Sequence, residues 1–312
     1  MTIITRQKHI FIDGEAGTTG LGLRQRLAGR SDIALQALPA EQRKDANAKL
    51  ALLREVDLVI LCLPDDAAKD TVALVDSLGA AGPRVLDAST AHRISPGWAY
   101  GFPELDAAQP QIIAAAMRVA NPGCYATGAI ALIRPLVDAG LLARDASLAL
   151  NAVSGYSGGG KSMIAAYGNG TAPTFELYGL NFKHKHLPEI TRHGGLSLTP
   201  MMIPSVGNFA QGMLVSLPLD LDALSGKPDA LALHEALRAH YAGAKFVKVI
   251  APDKNPDRLE PQALNNTNMM ELFVFSDAAK RQALLVARLD NLGKGASGAA
   301  VQNLDLMLGA TG

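Results

Sequence analysis

Apolar residues follow two regimes of spacing along this chain. In the first, short unbroken runs alternate with stretches in which apolar positions recur every three or four residues. His9-Ile10-Phe11-Ile12-Asp13 gives way to Leu21, Leu23 and Leu27, residues 33–38 to residues 41–54, and Val56-Asp57-Leu58-Val59-Ile60-Leu61 to a stretch ending at Leu78. Unbroken runs of this length are strands buried on both faces and the periodic stretches are helices, so the pattern predicts a parallel sheet built from strand–helix units. Leu63-Pro64-Asp65-Asp66 carries the start signals of the third helix, and Arg84-Val85-Leu86-Asp87 forms a fourth strand. Residues 126–136 make an amphipathic helix. From residue 147 the pattern changes: residues 147–153, 197–203, 212–217, 268–275 and 282–289 read as strands, with a helix over 229–241 and a small-residue helix ending near Leu308. That sequence of elements predicts an antiparallel or mixed sheet in a second domain.

The chemistry lies at the junctions of this pattern. Gly14, Gly17 and Gly20, with Thr18 and Thr19 between them, follow the first strand and open the first helix. Glycines so placed let the amides of a helix start face a pyrophosphate, as in dinucleotide-binding folds. No acid that would bind an adenosine ribose stands out after the second strand. Arg43 and Lys44 are there instead, either receiving the extra phosphate of NADP or forming a solvated helix face, and Glu41 keeps an NAD reading open. Ser89 and Arg93 follow the fourth strand, at the sheet edge where this architecture binds ligands; Arg93 is either an anion clamp or a surface ion pair.

Cys124 sits in Asn121-Pro122-Gly123-Cys124-Tyr125, past a Pro-Gly break and at the start of a helical run. A helix N-terminus favours thiolate over thiol, so Cys124 suits nucleophilic attack on a carbonyl. The alternative is a small buried hydrophobe, which is also the reading for Cys62 inside its apolar strand. Ser154-Gly155-Tyr156-Ser157-Gly158-Gly159-Gly160-Lys161 has the GxxxxGK[ST] spacing, but its place in the middle of the chain argues for a flexible substrate or interface loop, with Ser154 as a contact. Two of the seven histidines, His184 and His186, lie among Lys183 and Lys185 with Glu189 three residues on. Two histidines without a nearby cysteine are too few for a metal, and none is expected. The pair reads either as an imidazole oriented by a carboxylate for proton transfer or as part of a basic surface loop.

Composition narrows the partners. In 312 residues, Lys+Arg and Asp+Glu balance at 29 each, which gives no footprint for nucleic acid or a membrane surface and leaves a small molecule as the expected ligand. Two cysteines make no disulfide framework and fit a reducing compartment, so a cytoplasmic location is expected. No apolar run reaches the length of a membrane span.

Taken together, Asn121-Pro122-Gly123-Cys124-Tyr125, His184-Lys185-His186-Leu187-Pro188-Glu189 and Lys294-Gly295-Ala296-Ser297-Gly298-Ala299-Ala300-Val301-Gln302-Asn303 resemble the N-acetyl-gamma-glutamyl-phosphate reductases, in their shorter form, over nearly the full length. The resemblance implies an α/β chain: a Rossmann domain over residues 1–122 plus 295–312, and an α+β catalytic and oligomerisation domain of the semialdehyde dehydrogenase type over residues 123–294. It implies NADP-dependent reductive dephosphorylation of an acyl phosphate in arginine biosynthesis, by a homodimer or homotetramer. The alternative is a related dehydrogenase acting on an aspartyl or carrier-linked acyl phosphate. Cys124, His186 and Glu189 are the implied catalytic residues. Gly14, Gly17, Thr18, Thr19, Gly20, Arg43, Ser89, Lys294 and Gly295 are the implied cofactor contacts, and Arg93, Ser154, Lys183 and His184 the implied substrate contacts.

Overall fold

The computed structural model describes residues 7–309, which divide into two compact units. One runs through Pro103 and includes Ala108–Asn121 and the chain from Ala299 onward; the other comprises Glu104–Ala107 and Pro122–Gly298. The terminal return thus begins four residues later than the motif suggested, and a short excursion at Glu104 groups with the second unit.

The first unit contains β1 (Lys8–Asp13), α1 (Thr18–Leu27), β2 (Ile33–Gln36), α2 (Ala46–Leu53), β3 (Leu58–Leu61), α3 (Asp65–Ser77), β4 (Arg84–Asp87), β5 (Ala99–Tyr100), α4 (Gln109–Ala115) and β6 (Arg118–Ala120). The strands pair in the order β2-β1-β3-β4-β6-β5, all parallel. Strand alternation sends Ile10, Ile12, Leu58 and Ile60 to one face with Leu23 and Leu27 of α1, and Phe11, Val59 and Leu61 to the other with Leu53, Val72 and Val75. Both faces are therefore covered by helices. The chain leaves β1 for β2 on one side and returns to β3 on the other, so the sheet has a switch point between the carboxyl ends of β1 and β3. The helix expected over residues 41–54 begins only at Ala46, where the Asp45 carboxylate accepts the N–H groups of Asn47 and Ala48. Arg43 and Lys44 consequently lie on the turn before it.

The second unit contains α5 (Cys124–Asp138), β7 (Ala149–Gly155), α6 (Gly160–Gly168), β8 (Phe175–Leu177), α7 (Leu187–His193), β9 (Met201–Gly207), β10 (Met213–Asp220), α8 (Ala230–His240), β11 (Val247–Val249), β12 (Met270–Asp277) and β13 (Gln282–Leu289). Its mixed sheet runs β11-β12-β13-β10-β7-β9-β8. Helix α5 is almost wholly buried against β10, β13, α7 and α8. A Cβ at Gly128 would lie 2.8 Å from Val215, which is why α5 approaches the sheet so closely. The opposite face of the sheet carries Phe175, Leu177, Met201 and Leu284 at 56, 48, 52 and 39% exposure. The glycine-rich segment expected as a flexible loop is ordered: β7 ends at Gly155, a 3-10 turn follows over Tyr156–Gly159, and α6 starts at Gly160. A five-residue π-helical turn, Gly293–Ser297, then leads into α9 (Gly298–Leu308), whose Ala300, Leu304 and Met307 pack in the core of the first unit. No helix among the described residues is long and apolar enough to cross a membrane.

Candidate functional site

In the first unit the loop after β1 is shaped by its glycines. Gly14 has φ +88°, and a Cβ there would lie 2.3 Å from the Cys62 carbonyl; a Cβ at Gly20 would lie 2.5 Å from the Gly14 carbonyl. Both are glycine because the backbone leaves no room. Gly17 differs: as N-cap of α1 it has ordinary dihedrals, and an added Cβ would meet nothing closer than 3.4 Å. Its missing side chain instead leaves the amides of Thr18, Thr19 and Gly20 open, the arrangement that receives a phosphate at a helix start. Beside it, at the switch point, lies a cleft of about 560 Å³ lined by Gly14, Glu15, Leu38, Arg43, Lys44 and Leu74 among others. Asp13 at its floor is compensated by Lys49 Nζ at 2.6 Å and by the Thr71 hydroxyl at 3.0 Å. The two oxygens of Glu15 pair with Arg24 and Arg43. Amides at a helix start, apolar walls and a cationic rim fit a nicotinamide dinucleotide.

The loop after β4 is organised by Asp87, which is fully buried. Its carboxylate accepts the Ser89 N–H at 2.8 Å and the Ser89 hydroxyl at 2.7 Å, and lies 2.6 Å from His92 Nδ1. The Ser89 oxygen also accepts the Ala91 N–H at 3.1 Å. Ser89, expected to touch cofactor, thus holds its own loop. Arg93 is buried too and donates from Nε to the Asn121 carbonyl at 3.0 Å and from Nη2 to Ala88 at 3.4 Å. It ties this loop to the last residue before the chain enters the second unit.

In the second unit Cys124 is the first residue of α5 and Gly123 is its N-cap. The N–H of Gly123 donates to Glu189 Oε2 at 3.1 Å, and Glu189 is 1% exposed. A buried carboxylate therefore fixes the turn from which the thiol projects. His186 is buried and is the N-cap of α7. Its ring lies 4.7 Å from that of His184, and both stand near Tyr125, with ring centroids 5.9 and 5.6 Å away. The Tyr125 hydroxyl donates to the Ser205 carbonyl at 2.8 Å. Burial pushes the hydroxyls of Tyr125 and Tyr178 far above the ordinary range, with Cys124 a further contributor to each. Both tyrosines thus remain protonated. Ser154 is buried and donates to the Gly155 carbonyl at 3.1 Å, while Lys183 is exposed. Tyr125 and Tyr178 carried no assignment from sequence: Tyr125 lies inside the cysteine motif, and Tyr178 has no local pattern that marks it.

The two residues of the terminal motif expected at the cofactor are engaged within the second unit. Lys294 is fully buried, its Nζ 2.8 Å from each oxygen of Glu104 and 5.6 Å from the centre of the Phe246 ring. Burial lowers its pKa, and Glu104 opposes that shift. Lys294, expected at the cofactor, makes this internal ion pair. Gly295 packs on Cys124: a Cβ there would lie 2.8 Å from Cys124 Cβ.

Comparison with known proteins accords with this geometry. Residues 10–112 match the model for the semialdehyde dehydrogenase NAD-binding domain, and residues 124–291 that for the semialdehyde dehydrogenase dimerisation domain. A Chelativorans sp. (strain BNC1) protein named N-acetyl-gamma-glutamyl-phosphate reductase is 54% identical over 306 residues, covering 96% of this chain and 97% of its own. A Nostoc sp. (strain PCC 7120) protein named N-acetyl-gamma-glutamyl-phosphate reductase 2 is 51% identical over 314 residues, covering 96% of each. The chain belongs to the N-acetyl-gamma-glutamyl-phosphate reductase family. It is an oxidoreductase within the wider semialdehyde dehydrogenase group. Its fold is shared with aspartate semialdehyde dehydrogenases from Francisella tularensis (TM-score 0.73, 15% identity, covering 97% of this chain and 100% of that one) and Vibrio cholerae (0.70, 16%, 98% and 100%). Membership of the reductase family makes the glycine loop and the Cys124 turn the two places where its chemistry is to be sought.

Proposed function

We propose that the chain catalyses NADPH-dependent reductive dephosphorylation of N-acetyl-gamma-glutamyl phosphate to N-acetylglutamate 5-semialdehyde and phosphate, a step of arginine biosynthesis, through a thioester on Cys124. The observation that carries this is Cys124 at the first position of α5, on a turn held by buried Glu189. A carboxylate resists hydride, so the substrate arrives as a mixed anhydride with phosphate as leaving group. Cys124 Sγ attacks the acyl carbon, the bond to the phosphate oxygen breaks, and a thioester forms. The first-turn amides of α5 donate to the oxyanion that develops. Nicotinamide, when bound, supplies the hydride that the thioester carbon accepts. His186 carries the proton to and from the resulting oxygen, so that the C–S bond breaks, the aldehyde leaves and the thiolate returns.

Gly17, Thr18, Thr19 and Gly20 hold the pyrophosphate in this reading. Arg43 and Lys44 receive the adenosine phosphate, and the pairing of Glu15 with Arg24 and Arg43 favours NADP, because the acid beside the cleft is already neutralised. Arg93, Ser154 and Lys183 remain the candidates for substrate anions. The exposed apolar face of the second sheet is the surface through which two copies form a homodimer. Two free cysteines fit a working enzyme in the cytoplasm.

The test is phosphate-dependent oxidation of N-acetylglutamate semialdehyde by NADP in the wild type and in Cys124→Ser. The wild type turns over and the variant does not; activity in the variant would end the covalent mechanism. Comparing kcat/KM for N-acetylglutamyl, aspartyl and carrier-bound phosphates identifies the substrate, and a higher value for either of the last two would transfer the activity to the related dehydrogenases.

A further inference from the structure

Two residues that carry no step of the reductase reading lead to His186: His184 touches it, and Tyr178 touches His184. The backbone N–H of His186 donates to Nδ1 of His184 at 3.2 Å, and Nε2 of His184 lies 3.3 Å from the Tyr178 hydroxyl. The first contact decides the second. A backbone amide only donates, so Nδ1 of His184 presents its lone pair, and a neutral imidazole of that form carries its proton on Nε2. Nε2–H therefore donates to Tyr178 Oη. Tyr125, whose hydroxyl donates to the Ser205 carbonyl of β9, stands beside the same ring, with centroids 5.6 Å apart. Contacts from both phenols thus meet on His184 and through it reach the backbone of His186.

That backbone lies at a helix start. The His184 carbonyl accepts the Leu187 N–H at 3.0 Å while its ring accepts the His186 N–H, so His184 satisfies two donors at the entry to α7. The rings of His184 and His186 meet nearly at right angles, 80° apart. Backbone and ring of His186 are both set by His184. A ring that uses its lone pair on one partner and its proton on another cannot exchange a proton with substrate without breaking one of those bonds.

We propose that Tyr178 and His184 are positioning residues that fix His186 and take no proton themselves, a role that rests on the reductase reading. Full-length His184→Leu, which removes the acceptor for the His186 amide, lowers kcat by roughly 100-fold while leaving KM for the acyl substrate within about threefold. Tyr178→Phe lowers kcat in the same sense and less. His184→Asn keeps an amide oxygen in reach of that N–H and recovers most of the loss. If His184→Asn were as inactive as His184→Leu, His184 would be acting as the acid–base and the proposal would be overturned. Nitrogen-15 NMR of histidine-labelled wild type, with the His184 signals assigned by their absence from His184→Asn, reads the tautomer without any assay. A lone-pair nitrogen at δ1 and a protonated one at ε2 are expected; the reverse pattern defeats the proposal whatever the enzyme's substrate. Conversely, the expected tautomer in a protein without thioester activity would defeat the reductase reading alone.

Discussion

Replacing Lys294 by methionine tests how much the second unit depends on its one fully enclosed ammonium among the described residues. The substitution keeps the length of the side chain and its contact with Phe246 but removes the ammonium that lies 2.8 Å from each oxygen of the largely enclosed Glu104 carboxylate. Removing one partner of a buried ion pair costs about 3–5 kcal/mol, because the surviving charge stays desolvated without that partner. For a unit of about 150–250 residues each kcal/mol moves Tm by roughly 2–4 °C, so the transition of the second unit falls by about 6–20 °C. Replacing both members, as Lys294→Met with Glu104→Leu, removes the surviving buried charge and restores most of the loss, since an apolar pair of similar volume does about as well as a buried ion pair. Guanidinium unfolding and calorimetry of the wild type, the single variant and the double variant measure the three values. A single variant within about 1 kcal/mol of wild type, or a double variant no better than the single, refutes the reasoning.

The two arginine and cysteine positions of the first unit give two further expectations. Burial, assisted by Asp87 and Asp13, pushes the Cys62 thiol up to about 12, even though part of the residue retains solvent contact. Its folded value lies above its unfolded one, so the folded state binds the extra proton: stability is intact below about pH 8.5 and falls as pH rises from there toward 12, by up to about 1.4 kcal/mol per unit. Cys62→Ala has a shallower decline over that window in denaturant midpoints, and an unchanged decline would show that other groups carry it. Arg43→Ala, which removes a cation from the rim of the dinucleotide cleft, raises KM for NADP by roughly 10- to 100-fold, as expected for one charged hydrogen bond, and moves KM for NAD by less than about threefold. Equal effects on both cofactors would remove Arg43 from phosphate recognition.

How far the fold was legible depended on whether local spacing or distant packing set each element. Arg84–Asp87 and residues 282–289 matched their strands end to end, because polar or turn residues flank short, largely apolar runs. Helix α6 escaped because Gly158, Gly159 and Gly160 read as punctuation, although Met163 through Tyr167 are compatible with helix. The candidate site divides the same way. Spacing singled out Cys124, His186 and Glu189, but Glu189 accepts the Gly123 amide 66 residues earlier, a contact no window contains. Lys294 was the converse: a conspicuous motif suggested a ligand, while its ammonium meets a carboxylate 190 residues away.

The motif around Lys294 nevertheless bears on the thiol, through the residue beside it. Gly293 is pinned because a Cβ would meet the Thr267 carbonyl at 1.9 Å, and Gly295 because one would meet Cys124 Cβ at 2.8 Å. Between them Lys294 locks the π-helical turn to Glu104. The Gly295 N–H donates to the Asp290 carbonyl at 2.9 Å, and Asp290 in turn accepts from Gln211 at 2.6 Å and from the Asn266 N–H at 2.8 Å. This turn is therefore rigid and is the surface on which Cys124 rests. Glu189 holds the residue before the thiol and Gly295 closes the space behind it, so the position of the sulfur is determined from two sides. In the proposed mechanism the thiol attacks a carbon and then releases it, and such restraint helps because the thiol is ordered before substrate arrives. Loosening of the turn, rather than loss of a ligand contact, is then the route by which Lys294→Met would lower kcat, and it predicts that the Lys294→Met/Glu104→Leu double variant regains activity along with stability.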